Sequence, residues 1–306
     1  MNRSPEGLIA VTGATGEVGG RVARRLASRG LPQRLIVRDS ARIETLAGAE
    51  VRAVAGYHAG DEVRDALDGV STLLLIPAHE GPGRAEAHRA TVKAALAAGV
   101  RQIVYISYVG ASPDHTFTLA RDHWVTEQDI RRTDLGFTFL RSSTYLDFIP
   151  KLAGPNGVIS GPAGEGRVAA VARDDLADVA VAVLSDPDAH IGQTYDVTGG
   201  ESFTLAEAAI VMSRVSGKQI VFHDETLEEA YGARSHYGAP QSEVDGWVTS
   251  YTVIAAGQLA AVSDTVKRLA GHQPITLAEH IQANPDSLAH VQAPSRSELI
   301  DATGDG

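Results

Sequence analysis

The 306-residue chain is 43% hydrophobic and 21% charged, ordinary values for a globular α/β protein with a large core. It contains no cysteine, which excludes disulfides, thiolate metal sites and cysteine nucleophiles and fits a reducing compartment. With 27 basic against 38 acidic side chains the net charge is −11, so nucleic acid is not an expected partner.

In chain order, β-branched apolar runs alternate with helical periodicity. Strands are predicted over residues 8–12, 34–38, 51–54, 71–77, 102–107 and 137–141, and helices over 19–28, 61–67, 84–98 and 118–133. This alternation predicts a Rossmann-type doubly wound parallel sheet with helices on both faces, because each crossover returns the chain to the same end of the sheet. After Leu146 the stretch AGPNGVISGPAGEGR interrupts the pattern. Beyond it come an apolar run over 168–172, a helix over 174–184, a strand near 194–197, a helix over 205–215 and a mostly helical stretch over 227–269. The expected organisation is a sheet domain over 1–150, a smaller mixed lobe over 151–285 interwoven with it, and a flexible tail over 286–306. The opening residues MNRSPEGLIAVTG do not read as a signal peptide, and no apolar run is long enough for a bilayer. A cytoplasmic protein with no membrane partner is expected.

The first predicted strand runs into Gly13-Ala14-Thr15-Gly16-Glu17-Val18-Gly19, and a helix follows. That is the context a dinucleotide fingerprint requires. One glycine makes the tight turn, one admits a pyrophosphate to the backbone, and one lets helix and strand pack closely. Thr12, Gly13, Thr15, Gly16, Glu17, Val18 and Gly19 are therefore candidate cofactor contacts. The second strand ends in Arg38 and then Asp39, where the adenosine ribose is read. An aspartate suits the 2′-hydroxyl of NAD and an arginine the 2′-phosphate of NADP. Arg38 comes first, so NADP(H) is favoured over NAD(H). Ile76, Pro77 and Ala78, at the end of the fourth strand, are expected to wall the ribose, and Tyr57 is a further candidate cofactor contact.

The GxxGxxG spacing resembles the extended and atypical branches of the short-chain dehydrogenase/reductase superfamily. None of the eight tyrosines begins the Tyr-x-x-x-Lys pair of that superfamily. Instead His123, Thr126 and Glu127 form a His-x-x-Thr-Glu helix, followed by Leu140, Arg141 and Tyr145 as Leu-Arg-x-x-x-Tyr. Together with VSGKQIVF and DDLADVAVAVL, these segments resemble the NmrA-like group, and within it the triphenylmethane reductase and type-2 quinone oxidoreductase branches. The likeness runs over roughly residues 8–285. Where that group has Gly-Asp-Tyr or Gly-Asp-Phe, this chain reads Ala55-Gly56-Tyr57, without the aspartate.

The resemblance implies that Ser107 lies near the superfamily's active-site serine and that Ser143, Thr144 and Tyr145 stand beside the nicotinamide. His123 takes the region of the missing catalytic pair, as an acceptor-positioning or proton-donating group or as a histidine bonded within its own helix. Tyr108 is either a hydroxyl offered to the acceptor or a core tyrosine. Phe148, Tyr237, Trp247 and Tyr251 are candidates for an apolar acceptor pocket, with core packing as the alternative. No histidine or carboxylate cluster has metal-ligand spacing. The expected activity is NAD(P)H-dependent reduction of a small electron-poor organic acceptor: a quinone, an azo or triarylmethane dye, or a conjugated carbonyl. A non-catalytic NADP(H)-sensing regulator that docks a protein partner is the alternative. A monomer or homodimer is expected.

Overall fold

The apolar runs of the first half fold as six strands: β1 (Leu8–Thr12), β2 (Gln33–Val37), β3 (Ala49–Ala53), β4 (Val70–Leu75), β5 (Gln102–Tyr108) and β6 (Gly136–Ser142). The computed structural model describes residues 7–292, so the opening six residues and the expected tail beyond 292 lie outside the described residues. The sheet runs β3-β2-β1-β4-β5-β6 and ends in Gln193–Val197, with every neighbouring pair parallel.

Parallel strands demand crossovers, and α1 (Glu17–Ser28), α2 (Gly60–Ala66), α3 (Arg84–Ala97) and α4 (Thr118–Arg131) supply them. α1 packs against α5 (Arg173–Ser185), while α3 packs against α2 and α4. Val18, Val22, Ala23 and Leu26 recur at helical spacing along α1 and form its buried stripe. In the sheet, Leu73, Leu75, Ile103, Tyr105 and Phe139 share a core with Val63, Val92, Ala95 and Ile130 of α2–α4. The alternate residues Ile9, Val11, Leu35, Leu74, Val104 and Ile106 are equally buried and serve the other face. Strand order reverses between β1 and β4, which leaves a crevice at their carboxyl ends.

The chain forms two compact units. The first holds this sheet and comprises the chain through Ser143 with Arg173–Thr198 and Ser263–Pro274. The second comprises Thr144–Ala172, Gly199–Val262 and the chain from Ile275. The division falls after Ser143 and not after residue 150. Two later segments belong to the first unit because α5 and the edge strand complete its layers.

In the second unit, Val158–Gly161 pairs in parallel with Val221–Asp224, and Arg167–Val168 pairs antiparallel with Phe203–Thr204. Its helices are α6 (Leu205–Ser216), α7 (Leu227–Ser235), α8 (Gln241–Ala255) and α9 (Leu277–Ala283). Thr204, Thr226 and Thr276 open α6, α7 and α9 through capping boxes closed by Glu207, Glu229 and Glu279. The apolar run over 168–172 is strand only at Val168. Beyond it the amides turn elsewhere, Ala169 N–H to the Leu259 carbonyl and Val171 N–H to that of Thr144. The expected tail is also packed as far as residue 292. Leu288 and Val291 are buried, and Lys218 Nζ donates to both their carbonyls at 2.6 and 2.5 Å.

Candidate cofactor and active site

Gly13 leaves β1 at φ +61°, a conformation that strains any other residue. Gly16 caps α1 without a capping side chain, so the first amides of that helix remain for a ligand. A Cβ on Gly19 would collide with the Gly13 carbonyl, which is why the helix can lie so close to the strand end. A Cβ on Gly16 would meet only that carbonyl, at 3.2 Å, and otherwise enter open space. Thr15, Gly16 and Glu17 are exposed over buried Val18, and the Glu17 carboxylate pairs with Arg21. This arrangement suits an anion, with the Glu17 carboxylate paired to Arg21 and the Glu44 carboxylate to Arg24.

At the end of β2 the two candidate ribose readers are used differently. Asp39 Oδ1 accepts from Ala41 N–H at 2.9 Å and caps the turn Ser40–Arg42. Arg38 is exposed and makes no ion pair or hydrogen bond among the described residues.

After β4, Ile76 lies against Gly13, whose added Cβ would come within 3.2 Å of its side chain. Ile76 N–H donates to Thr12 Oγ1 at 2.9 Å, and its carbonyl accepts from the Tyr57 hydroxyl at 2.8 Å. Thr12 donates in turn to the Leu74 carbonyl at 3.2 Å. Thr12 and Tyr57 thus spend their hydroxyls on the protein's own backbone. Burial pushes the Tyr57 phenol up to about 12, against the opposing pull of Thr12 and Arg38.

His123 is buried. Its Nε2 faces Arg84 Nη2 at 3.0 Å, and arginine can only donate. The ring proton therefore sits on Nδ1, which donates to the Tyr105 hydroxyl at 2.9 Å. Burial, with the Arg84 charge next, holds this imidazole well below the ordinary histidine value. A neutral ring with both nitrogens engaged has no proton to give. Its partners come from α3 and β5, and not from its own helix as the alternative reading expected. Ser107 Oγ donates to Glu127 Oε1 at 2.6 Å. Glu127 is wholly buried and also binds Arg141 Nε and Nη2 at 2.8 and 2.6 Å. The motif residues of α4 are anchors that fasten the helix to β5, β6 and α3.

Two further expected residues lie at these strand ends. Tyr108 ends β5 half-buried, its ring 5.2 Å from Phe117 and 5.9 Å from His115. Ser143 follows β6 with a buried Oγ that has no hydrogen-bond partner among the described residues. A buried hydroxyl in that state suits a polar group supplied from outside the chain. In the second unit Thr144 and Tyr145 are half-buried, and Tyr145 forms a backbone bridge with Val171. Phe148, Tyr237 and Trp247 are exposed, with Tyr237 edge-on to Trp247 at 5.7 Å. Tyr251 is a core residue, its ring filling the space above Gly161.

Sequence reasoning missed Arg84 and His88, which lie four residues apart on α3 and are both buried. A charged residue and a histidine on the inward stripe of a helix were the available signal. Among the described residues no group of three histidine or carboxylate side chains could hold a metal, and no helix is long and apolar enough to cross a membrane.

A family model described as NAD(P)H-binding matches residues 13–187. Quinone oxidoreductase 2 of Escherichia coli is 35% identical, over 90% of this chain and 97% of its own length. NAD(P)H azoreductase of Xenophilus azovorans is 30% identical, over 90% of this chain and 98% of its own. The crystal structure of Citrobacter sp. triphenylmethane reductase complexed with NADP(H) aligns with a TM-score of 0.79 at 33% identity, covering 90% of this chain and 99% of that one. The glycine cradle at the β1–β4 switch point, the α4 anchor motif and these likenesses agree. The chain belongs to the NAD(P)H-binding family, in the NmrA-like branch of the atypical short-chain dehydrogenases/reductases.

Proposed function

We propose that this protein is an NADPH-dependent reductase of small electron-poor organic acceptors: quinones, azo or triarylmethane dyes, and conjugated carbonyls. The observation that carries this reading is how the polar side chains are spent. Ser107 and His123 direct their protons into the protein, and no Tyr-x-x-x-Lys pair exists. Nothing of that kind could protonate the alkoxide formed from an ordinary ketone. A cationic dye carbon becomes neutral on accepting hydride and needs no proton, and a reduced quinone is a stabilised anion that water can protonate. The named activities of the relatives belong to the same acceptor class.

NADPH would supply the hydride. Gly13, Gly16 and the amides opening α1 would hold its pyrophosphate, with Thr15, Glu17 and Val18 around them. Arg38 would take the 2′-phosphate, since its guanidinium is unengaged while Asp39 is committed to Ala41. Ile76 and Pro77 would wall the ribose, and Ser143, Thr144 and Tyr145 would face the nicotinamide. Tyr108 would orient the acceptor, and Phe148, Tyr237 and Trp247 are exposed aromatic residues of the second unit. Catalysis would then rest on positioning and exclusion of water. We place the protein in the cytoplasm, as a monomer or homodimer.

The test is NADPH oxidation by the pure protein against quinones, azo and triarylmethane dyes, enones and an aliphatic ketone. Turnover of the first four classes and none of the ketone is expected. Tyr108→Phe should lower kcat/KM less than about 100-fold, the lower bound for loss of a true acid. Vigorous ketone reduction, or no oxidation with any acceptor, would overturn the reading.

A further inference from the structure

Both backbone polar groups of Ala78 are held by buried side chains of α3. Ala78 N–H donates to His88 Nε2 at 2.8 Å, and the Ala78 carbonyl accepts from Arg84 Nε at 3.1 Å. His88 is 0% exposed and Arg84 6%. Each is braced from its far side, His88 Nδ1 against Thr126 Oγ1 at 2.9 Å and Arg84 Nη2 against His123 Nε2 at 3.0 Å. Thr126 gives its own proton to the Asp122 carbonyl at 2.9 Å, so His88 must donate at Nδ1 and accept at Nε2.

Two residues earlier, Thr12 and Tyr57 hold the N–H and carbonyl of Ile76 in the same manner. Pro77 stands between, with no N–H and a fixed φ. Four side chains therefore pin three successive residues at the switch point, beside the glycine turn. Beyond Ala78 the chain runs exposed through His79 and Glu80, with Gly81 and Gly83 at φ 149° and 77°. Ala78 is the last pinned residue before that connection. A buried guanidinium is costly, and apolar side chains could pack α3 on α4 without it. The expenditure makes sense where the position of the backbone itself matters.

We infer that Arg84 and His88 are positioning residues for the dinucleotide: by fixing Ala78 they hold the Ile76–Pro77 wall at its distance from the glycine turn. This rests on the reductase reading, because the wall has a ligand to meet only if NADPH binds there. Neither side chain touches the cofactor.

Three variants separate positioning from mere packing. His88→Leu removes the acceptor for Ala78, and His88→Gln restores an acceptor oxygen where Nε2 stood. Thr126→Val removes the brace but leaves the bond to Ala78. NADPH dissociation constants would be measured by nucleotide fluorescence, with melting temperature and kcat at saturating NADPH alongside. His88→Leu should weaken NADPH roughly 5- to 20-fold, the loss of about one hydrogen bond, with kcat within about threefold. His88→Gln should bind within about threefold of wild type, and Thr126→Val should lower the melting temperature while leaving affinity unchanged. Unchanged affinity in His88→Leu, no rescue by glutamine, or equal weakening in Thr126→Val would overturn the inference. Should His88→Leu fail to fold, amide exchange at Ala78 in the wild type decides. Slow exchange without nucleotide is expected, and fast exchange overturns the clamp. Failure of the wild type to bind either dinucleotide would sink the reductase reading itself, and is seen before any variant is made.

Discussion

Glu127, wholly buried on α4, holds the Arg141 guanidinium of β6 by two parallel hydrogen bonds of 2.8 and 2.6 Å. Two elements that meet only in the folded chain are fastened by one ion pair, and Ser107 adds a third strand-end contact to the same carboxylate. Removing the cation would strand a buried charge. Arg141→Met should therefore destabilise by about 3 kcal/mol, the low end for breaking a buried pair because Arg141 keeps an edge in solvent. Glu127→Gln should cost less, since an amide can still accept from Arg141. Urea unfolding of both variants checks the order, and a larger loss in Glu127→Gln would contradict it.

Cofactor preference should follow Arg38. Losing one charge-assisted contact costs on the order of 1.5–3 kcal/mol, about tenfold or more in affinity. Wild type should bind NADPH more tightly than NADH, and Arg38→Ala should erase most of the difference by weakening NADPH alone. A wild type that binds both equally would show that the guanidinium reads nothing.

The glycine turn separates ligand space from packing space. Gly16→Val has room for its side chain only where the pyrophosphate would lie, so it should abolish nucleotide binding while far-ultraviolet circular dichroism stays unchanged. Gly19→Ala should instead injure the fold, because its methyl group meets the Gly13 carbonyl. Tight NADPH binding by Gly16→Val would refute the assignment of the turn.

Acid should weaken the fold through its neutral buried histidines. Burial, with Arg84 nearby, lowers His88 from 6.5 to about 3, and His123 moves the same way. Between those values the unfolded chain binds protons that the native chain refuses. For His88 the stability contributed is full above about pH 6.5 and lost as pH falls toward 3, by roughly 1.4 kcal/mol per pH unit. Proton uptake on unfolding between about pH 5.5 and 4.5 should be lower by about one in His88→Gln than in wild type. Stability curves against pH measure both, and equal uptake in variant and wild type would mean that His88 is not the neutral group described.

The alternation of apolar runs with helical periodicity made the doubly wound sheet legible, because strand and helix periods are local properties of a chain. The glycine spacing, set by the sterics of one turn, likewise pointed to the dinucleotide cradle before any contact was known. By itself the sequence therefore determined the layer order, the turn at Gly13–Gly19 and the position of Arg38 at a strand end. Only the tertiary structure decided which side chains were free to act. Thr12, Tyr57, Ser107 and His123 each had the chemistry of a site residue, and each has that chemistry spent on one or more partners 18 to 64 residues away in the chain. Arg84 and His88 carried no motif, yet α3 brings them onto the backbone of Ala78. A hydrogen bond between distant residues leaves no mark in local spacing, since it depends on which strand ends and helix faces the completed fold sets side by side.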